Sequence, residues 1–147
     1  MTVELRRITQ GNIRAVMKLE VRPDQADFVA PNAVGIAETY VYPDAEPRAV
    51  YADDELVGFV LFHPADNDDG THNIVRLMIA AEFQGRGLGR QALEAAVDWA
   101  VREQAATKVR LSVVSSNEPA RNLYRSAGFV ETGEVDDGEV VMVRTIS

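Results

Sequence analysis

The sequence predicts one α+β domain: a mixed, mostly antiparallel central sheet of about seven strands flanked by four helices, in the order β-α-α-β-β-β-α-β-α-β-β. Three observations predict it. The 147 residues match the size of a single domain that buries one compact core. Three strand-like runs in succession form a meander in the middle of the chain, and strand and helix patterns alternate after it, which gives neither a doubly wound parallel sheet nor a helix bundle. No internal repeat, linker or composition break divides residues 1–147.

Each element has its own signal. Val3–Thr9 alternates apolar and charged residues, as a half-buried strand does. Gln10–Val21 carries Ile13, Val16, Met17 and Glu20 on one helical face, with Pro23 as its stop. Asp24–Pro31 reads as irregular, and Ala33–Tyr42 as a second short helix ended by Pro43. Arg48–Ala52 and Glu55–His63 are β-rich runs around Asp53-Asp54, a hairpin signature without the usual glycine. Pro64–Gly70 is a polar loop and Asn73–Ile79 the next strand. Leu88–Gln104 is the longest helix, with Leu88, Ala92, Ala95, Ala96 and Trp99 on its apolar face. Lys108–Val114 reads as a buried strand, and Ala120–Ala127 as a helix closed by a left-handed cap at Gly128. Phe129–Val135 and Val140–Ile146 then pair across Asp136-Asp137-Gly138.

Composition excludes several classes. Hydrophobic residues at 46% and charged ones at 26% are globular values that argue against disorder. The absence of cysteine removes disulfides, thiolate metal sites and any covalent thioester on the protein. Apolar stretches such as Leu56–Phe62 are far short of the ~20 residues of a membrane span, and the first residues lack the pattern of a signal peptide. The expectation is a cytoplasmic protein with no membrane partner and no metal.

A formal net charge of −8 disfavours nucleic acid, whose phosphates need a basic face. Residues 20–69 hold twelve acidic residues against only Arg22 and Arg48. An acidic first half beside a balanced second half suggests a cationic ligand on one side and a different ligand on the other; a solvated acidic surface is the plainer alternative.

The most chemical segment is Gln84-Gly85-Arg86-Gly87-Leu88-Gly89-Arg90, after a strand and at the opening of the long helix. Missing Cβ atoms let a ligand approach the backbone, and unpaired N–H groups at a helix start favour an anion. Gly87-Leu88-Gly89-Arg90-Gln91-Ala92 also fits a dinucleotide fingerprint, but Ala80 to Gln84 already intervene between the preceding strand and the first glycine of the loop, Gly85, and no carboxylate ends the next strand, Val113-Val114-Ser115-Ser116. No Gly-Lys-Ser/Thr follows, so a nucleotide P-loop is excluded.

Arg76-Leu77-Met78-Ile79, then Gln84-x-x-Gly87-x-Gly89, then Asn117-x-x-Ala120-x-x-Leu123-Tyr124-x-x-x-Gly128-Phe129 together resemble the GNAT superfamily of acyl-CoA-dependent N-acetyltransferases. The resemblance covers the whole chain in element order and is most specific over residues 75–130. It implies acetyl-CoA as co-substrate. The loop formed by Gln84, Gly85, Arg86, Gly87, Leu88, Gly89 and Arg90 would bind the pyrophosphate, and Leu77, Met78 and Ile79 would bond the pantetheine arm and the thioester carbonyl. Asn117 would contact the cofactor near its pantetheine end, with Tyr124 beside the sulfur.

The residues can be set against that reaction. Attack of an amine on a thioester needs N–H donors for the oxyanion and an acid for the departing thiolate. A phenol with a pKa of ~10 is protonated at neutral pH, and Tyr124 is the candidate catalytic acid. Removing the amine's proton is harder to assign: Glu38, His72 and water held by backbone carbonyls are the candidates. With neither cysteine nor a Gly-x-Ser-x-Gly elbow, transfer should be direct rather than through an acyl-enzyme.

Residues 29–34 and 37–45 resemble the acceptor region of bacterial spermine/spermidine (diamine) acetyltransferases. The distal ammonium groups of a polyamine would meet carboxylates near Glu20, Asp24, Asp27, Glu38 and Asp44, while Tyr40 and Tyr42 flank its methylenes. The substrate is read as a small polycationic amine such as spermine or spermidine. The alternatives are a protein or peptide amine, an amino acid, an aminoglycoside, or a non-catalytic module that senses coenzyme A. The apolar run Val140-Val141-Met142-Val143 adds a homodimer paired through the C-terminal hairpin as a further expectation.

Overall fold

The computed structural model describes residues 2–65 and 69–147; residues 66–68 of the expected polar loop lie outside the described residues. Seven strands form one sheet: β1 (Val3–Arg7), β2 (Glu46–Ala52), β3 (Glu55–Pro64), β4 (Thr71–Ile79), β5 (Lys108–Val114), β6 (Val130–Asp136) and β7 (Glu139–Thr145). Their order across the sheet is β1-β2-β3-β4-β5-β7-β6. Every pairing is antiparallel except β4 with β5, so the mixed, mostly antiparallel reading holds. The helices are α1 (Ile13–Lys18), α2 (Asn32–Glu38), α3 (Leu88–Gln104) and α4 (Glu118–Ser126).

Strand alternation separates two cores. Val60 and Phe62 face α3, where Phe62 stacks on Trp99 with ring centroids 4.3 Å apart. Phe59 and Leu61 face the other side and pack with Val16 of α1. Each such fully buried side chain contributes roughly 1.5–3 kcal/mol. The hairpin between β2 and β3 needs no glycine because Asp53 and Asp54 both take positive φ, 48° and 70°, which aspartate tolerates better than most residues.

Three local outcomes differ from the sequence reading. The first helix is confined to Ile13–Lys18: at its start Thr9 and Asn12 cap one another, Thr9 N donating to Asn12 Oδ1 at 2.7 Å and Asn12 N to Thr9 Oγ1 at 3.3 Å, and at its end Leu19 turns to extended backbone. The second helix ends at Glu38 rather than Tyr42, with Thr39 Oγ1 donating to the Ile36 carbonyl at 2.6 Å. The fourth starts at Glu118 on an Asn117 cap rather than at Ala120.

The run Val140–Val143 is not free to pair across an interface. β7 lies between β5 and β6 and bonds to both, and Val141 and Met142 are buried. β6 forms the edge of the sheet instead.

Candidate active site

The site starts from a failure of pairing. β4 and β5 run side by side only over Thr71–Asn73 and Lys108–Arg110, after which they part. On the other edge of β4, Leu61 pairs with Arg76 and Phe62 with Ile74, which leaves Val75 as an extra residue. Such a bulge bends a strand and increases its twist, and here it falls where the two strands diverge. Beyond the divergence the edge of β4 facing β5 has no strand partner, so its peptide groups are available to an extended ligand.

The wedge opens into a cleft of about 520 Å³ between β4, β5, the start of α3 and α4. Of the residues singled out in the sequence, Leu77, Met78, Ile79, Gln84, Gly85, Gly87, Leu88, Gly89, Asn117 and Tyr124 all line it. Gly85 and Gly87 have φ of +79° and +77°, and a Cβ on either would meet nothing within 4 Å. Their role is conformational, and they leave the space in front of the helix open. The amides of Leu88, Gly89 and Arg90 precede the first bond of α3, from Gln91 N to the Gly87 carbonyl at 3.3 Å, so they have no acceptor within the helix. This loop fits a diphosphate.

Arg86 and Arg90 flank the loop without lining the cleft. Arg86 lies over the Phe83 ring at 5.7 Å, and Arg90 Nη1 donates to Ser126 Oγ at 2.9 Å. Gln84 acts through its side chain: its Nε2 donates to the Ile79 carbonyl and to Gln25 Oε1, each at 2.8 Å. Asn117 Oδ1 accepts from Ala120 N at 3.4 Å and so caps α4.

Tyr124 is held on α4 with its ring 6.0 Å from Phe129. Burial, with a smaller contribution from Glu139, pushes its phenol up to about 12. The hydroxyl therefore stays protonated throughout the neutral range.

The acceptor candidates divide. Glu38 is ion-paired with Arg76 of β4, whose side chain crosses α2 at Gly35, 3.1 Å from where a Cβ would sit. Tyr40 is 92% exposed and lines neither the cleft nor the recess described below. Tyr42 instead meets His63 edge to face, 5.4 Å between ring centroids. His72 is buried against Phe62 and Trp99, and desolvation first, then the nearby His63, holds its pKa below the usual histidine value.

A second cavity, a recess of about 180 Å³, is lined by His63, Asn73, Arg110 and Asp136 and shares Ile74, Val75, Leu111 and Ser112 with the cleft. Sequence reasoning did not single out His63, Asn73, Arg110 or Ser112. The local signal was Ser112, a polar residue among the apolar Leu111, Val113 and Val114 of β5.

The acetyltransferase (GNAT) family matches residues 11–129 of the chain. The spermine/spermidine N(1)-acetyltransferase of Bacillus subtilis (strain 168) is 28% identical over 152 residues, covering 99% of this chain and 100% of that protein. Among solved structures, AAC(6')-Ib in complex with ribostamycin and coenzyme A is similar with a TM-score of 0.83 at 22% identity, covering 99% of this chain and 94% of that one. The Vibrio cholerae spermidine N-acetyltransferase in complex with CoA and spermine gives a TM-score of 0.77 at 21% identity, covering 97% and 93%. At these identities the two structures share the fold.

Proposed function

Because the chain belongs to the acetyltransferase (GNAT) family, we propose that it moves the acetyl group of acetyl-CoA directly to a primary amine of a linear polyamine such as spermine or spermidine. One observation carries the reading: β4 and β5 part beside a helix start bared of side chains, with a phenol on the opposite wall. The polyamine acceptor rests on the full-length similarity to the Bacillus enzyme and on the acidic composition of residues 20–69.

When bound, acetyl-CoA supplies an activated thioester and a good leaving group. The loop amides from Gly85 to Arg90 hold the diphosphate. The open edge of β4 orients the pantetheine arm as an added strand, with a backbone N–H facing the carbonyl oxygen. Tyr124 keeps its proton. Full transfer from a phenol at about 12 to a thiolate whose conjugate acid titrates near 8.5 is uphill by about 5 kcal/mol, so the hydroxyl acts as a hydrogen-bond donor that steadies charge growing on the sulfur.

The described residues and the full sequence contain no cysteine, and both substrates bind before transfer. An acceptor screen with acetyl-CoA tests the reading. Turnover of spermine, spermidine or a diamine with intersecting double-reciprocal plots is expected. Parallel plots, or acetylation of an aminoglycoside while polyamines are left untouched, overturn it.

A further inference from the structure

We propose that His63 is the proton acceptor for the incoming amine, which enters through the recess behind the cleft; the assignment rests on the acetyltransferase reading above. The recess meets the cleft at Ile74 and Val75 of β4 and at Leu111 and Ser112 of β5, the point where the two strands part. A ligand arm lying along Leu77–Ile79 brings its reactive end toward this junction. His63 pairs with Asn73 in the neighbouring strand, one strand spacing of about 4.8 Å away.

The imidazole is half-buried and its tautomer is set by the backbone. Nδ1 lies 2.9 Å from the Pro64 carbonyl oxygen, which can only accept, so Nδ1 carries the proton and Nε2 holds the free lone pair. Tyr42 fixes the ring from its side, edge to face at 78°. The Asn73 Oδ1 atom, also in the wall of the recess, is buried and has no hydrogen-bond partner among the described residues. An amine N–H donor satisfies it.

Among the described residues, the carboxylates beside the cleft and the recess are engaged. Glu38 holds Arg76, Asp136 and Glu134 both hold Arg110, and Glu139 accepts from Ser112 Oγ at 3.0 Å. His72 lies in the core on the opposite face of the sheet. In the step itself one ammonium N–H bond breaks and one Nε2–H bond forms. The imidazole becomes imidazolium, and the freed lone pair on the amine nitrogen is the nucleophile.

The charged and titratable groups around His63 are Tyr42 before β2, Glu46 on β2, His72 on β4, Arg110 on β5 and Asp136 on β6. None of them replaces the lone pair of Nε2. The chain has two histidines, which makes direct observation simple. Long-range 1H–15N spectra of the whole protein at pH 8 should show His63 as the Nδ1–H tautomer; an Nε2–H tautomer overturns the assignment. With acetyl-CoA and spermidine, or the amine that the acceptor screen selects, the pH profile of kcat/KM for the wild type should carry an acid limb. His63→Gln and His63→Asn should abolish that limb and lower kcat/KM about 10²- to 10⁴-fold at pH 7, with the KM for acetyl-CoA unchanged. His63→Asn retains an amide donor for the Pro64 carbonyl, so a purely structural role predicts that it restores activity, and that result also overturns the assignment. If the wild type acetylates no amine, the acetyltransferase reading falls and His63's role with it; turnover with an unchanged limb in the variants removes only His63.

Discussion

Gln25 and Gln84 exchange side-chain amide hydrogen bonds, 2.8 Å from Gln84 Nε2 to Gln25 Oε1 and 3.1 Å in the return direction. This reciprocal pair ties the short helical turn Pro23–Gln25 to the segment that enters the glycine loop. A third bond, from Gln84 Nε2 to the Ile79 carbonyl, anchors the same side chain to the end of β4. Gln84 thus braces the loop against both the Pro23–Gln25 turn and the end of β4.

Gln84→Ala should therefore raise the KM for acetyl-CoA several-fold while leaving kcat nearly intact. It should also lower stability by about 1–3 kcal/mol, the net worth of two to three part-buried hydrogen bonds. Denaturant titration and steady-state kinetics check the two effects. A fall in kcat alone would contradict the bracing role.

The glycine loop yields a controlled comparison. Gly87 and Gly133 have φ of +77° and +85°, and both face open space, so alanine at either costs about 1–2 kcal/mol of backbone strain. Only Gly87 borders the cleft. Gly87→Ala should weaken coenzyme A binding at least tenfold by calorimetry, whereas Gly133→Ala should leave it unchanged. Equal affinities in the two variants would detach the loop from cofactor binding.

The Glu38–Arg76 pair should matter more than a surface ion pair. Its side chains are 22% exposed on Arg76 and 32% on Glu38, and Arg76 Nε is buried without a partner. Glu38→Ala leaves that guanidinium uncompensated and should cost about 1–3 kcal/mol. Asp24→Ala, which breaks a far more exposed pair with Arg22, should cost less than about 1 kcal/mol. Chemical denaturation of the two variants side by side tests the ranking.

His72 should make the fold acid-sensitive. Its pKa is lowered in the folded chain, chiefly by desolvation, so the folded state disfavours its protonated form. That stability is fully present above the unfolded value near 6.5 and is lost as pH falls below it. His72→Phe retains an aromatic ring against Phe62 and Trp99 and removes the charge. The difference in stability between pH 7 and pH 5 should shrink in the variant, and an unchanged difference would rule His72 out as a source.

The sequence made legible what is encoded locally. Alternating glycines at the opening of an apolar helix, the Asp53-Asp54 turn and the Gly128 cap each act within a few residues, so spacing alone revealed them. The short first helix shows the limit: the Thr9–Asn12 cap delays its start to Ile13, and although apolar periodicity continues past Lys18, the backbone is already extended at Leu19. The site residues that escaped notice depend on long-range crossings. Gly35 makes room for Arg76 across 41 positions of chain, the bulge at Val75 exists only in register with β3, and the recess joins β3, β4, β5 and β6. No window of sequence contains those relationships.

Tyr124→Phe separates chemistry from binding. Loss of the hydroxyl should lower kcat about 10²- to 10³-fold with coenzyme A affinity unchanged, because the ring and its packing on Phe129 persist. The same variant has a stability signature. The phenol titrates at about 12 in the folded chain, above its ordinary value of 10.0, so the folded state retains a proton that the unfolded chain releases. Stability from this group is fully present below pH 10 and declines as pH rises toward 12, by up to about 3 kcal/mol. Tyr124→Phe should lack that decline, so stability measured at pH 9 and pH 11 should differ less than in the wild type. A variant with normal kcat removes the hydroxyl from the mechanism, and a normal alkaline decline shows that the phenol is solvated rather than held neutral by burial.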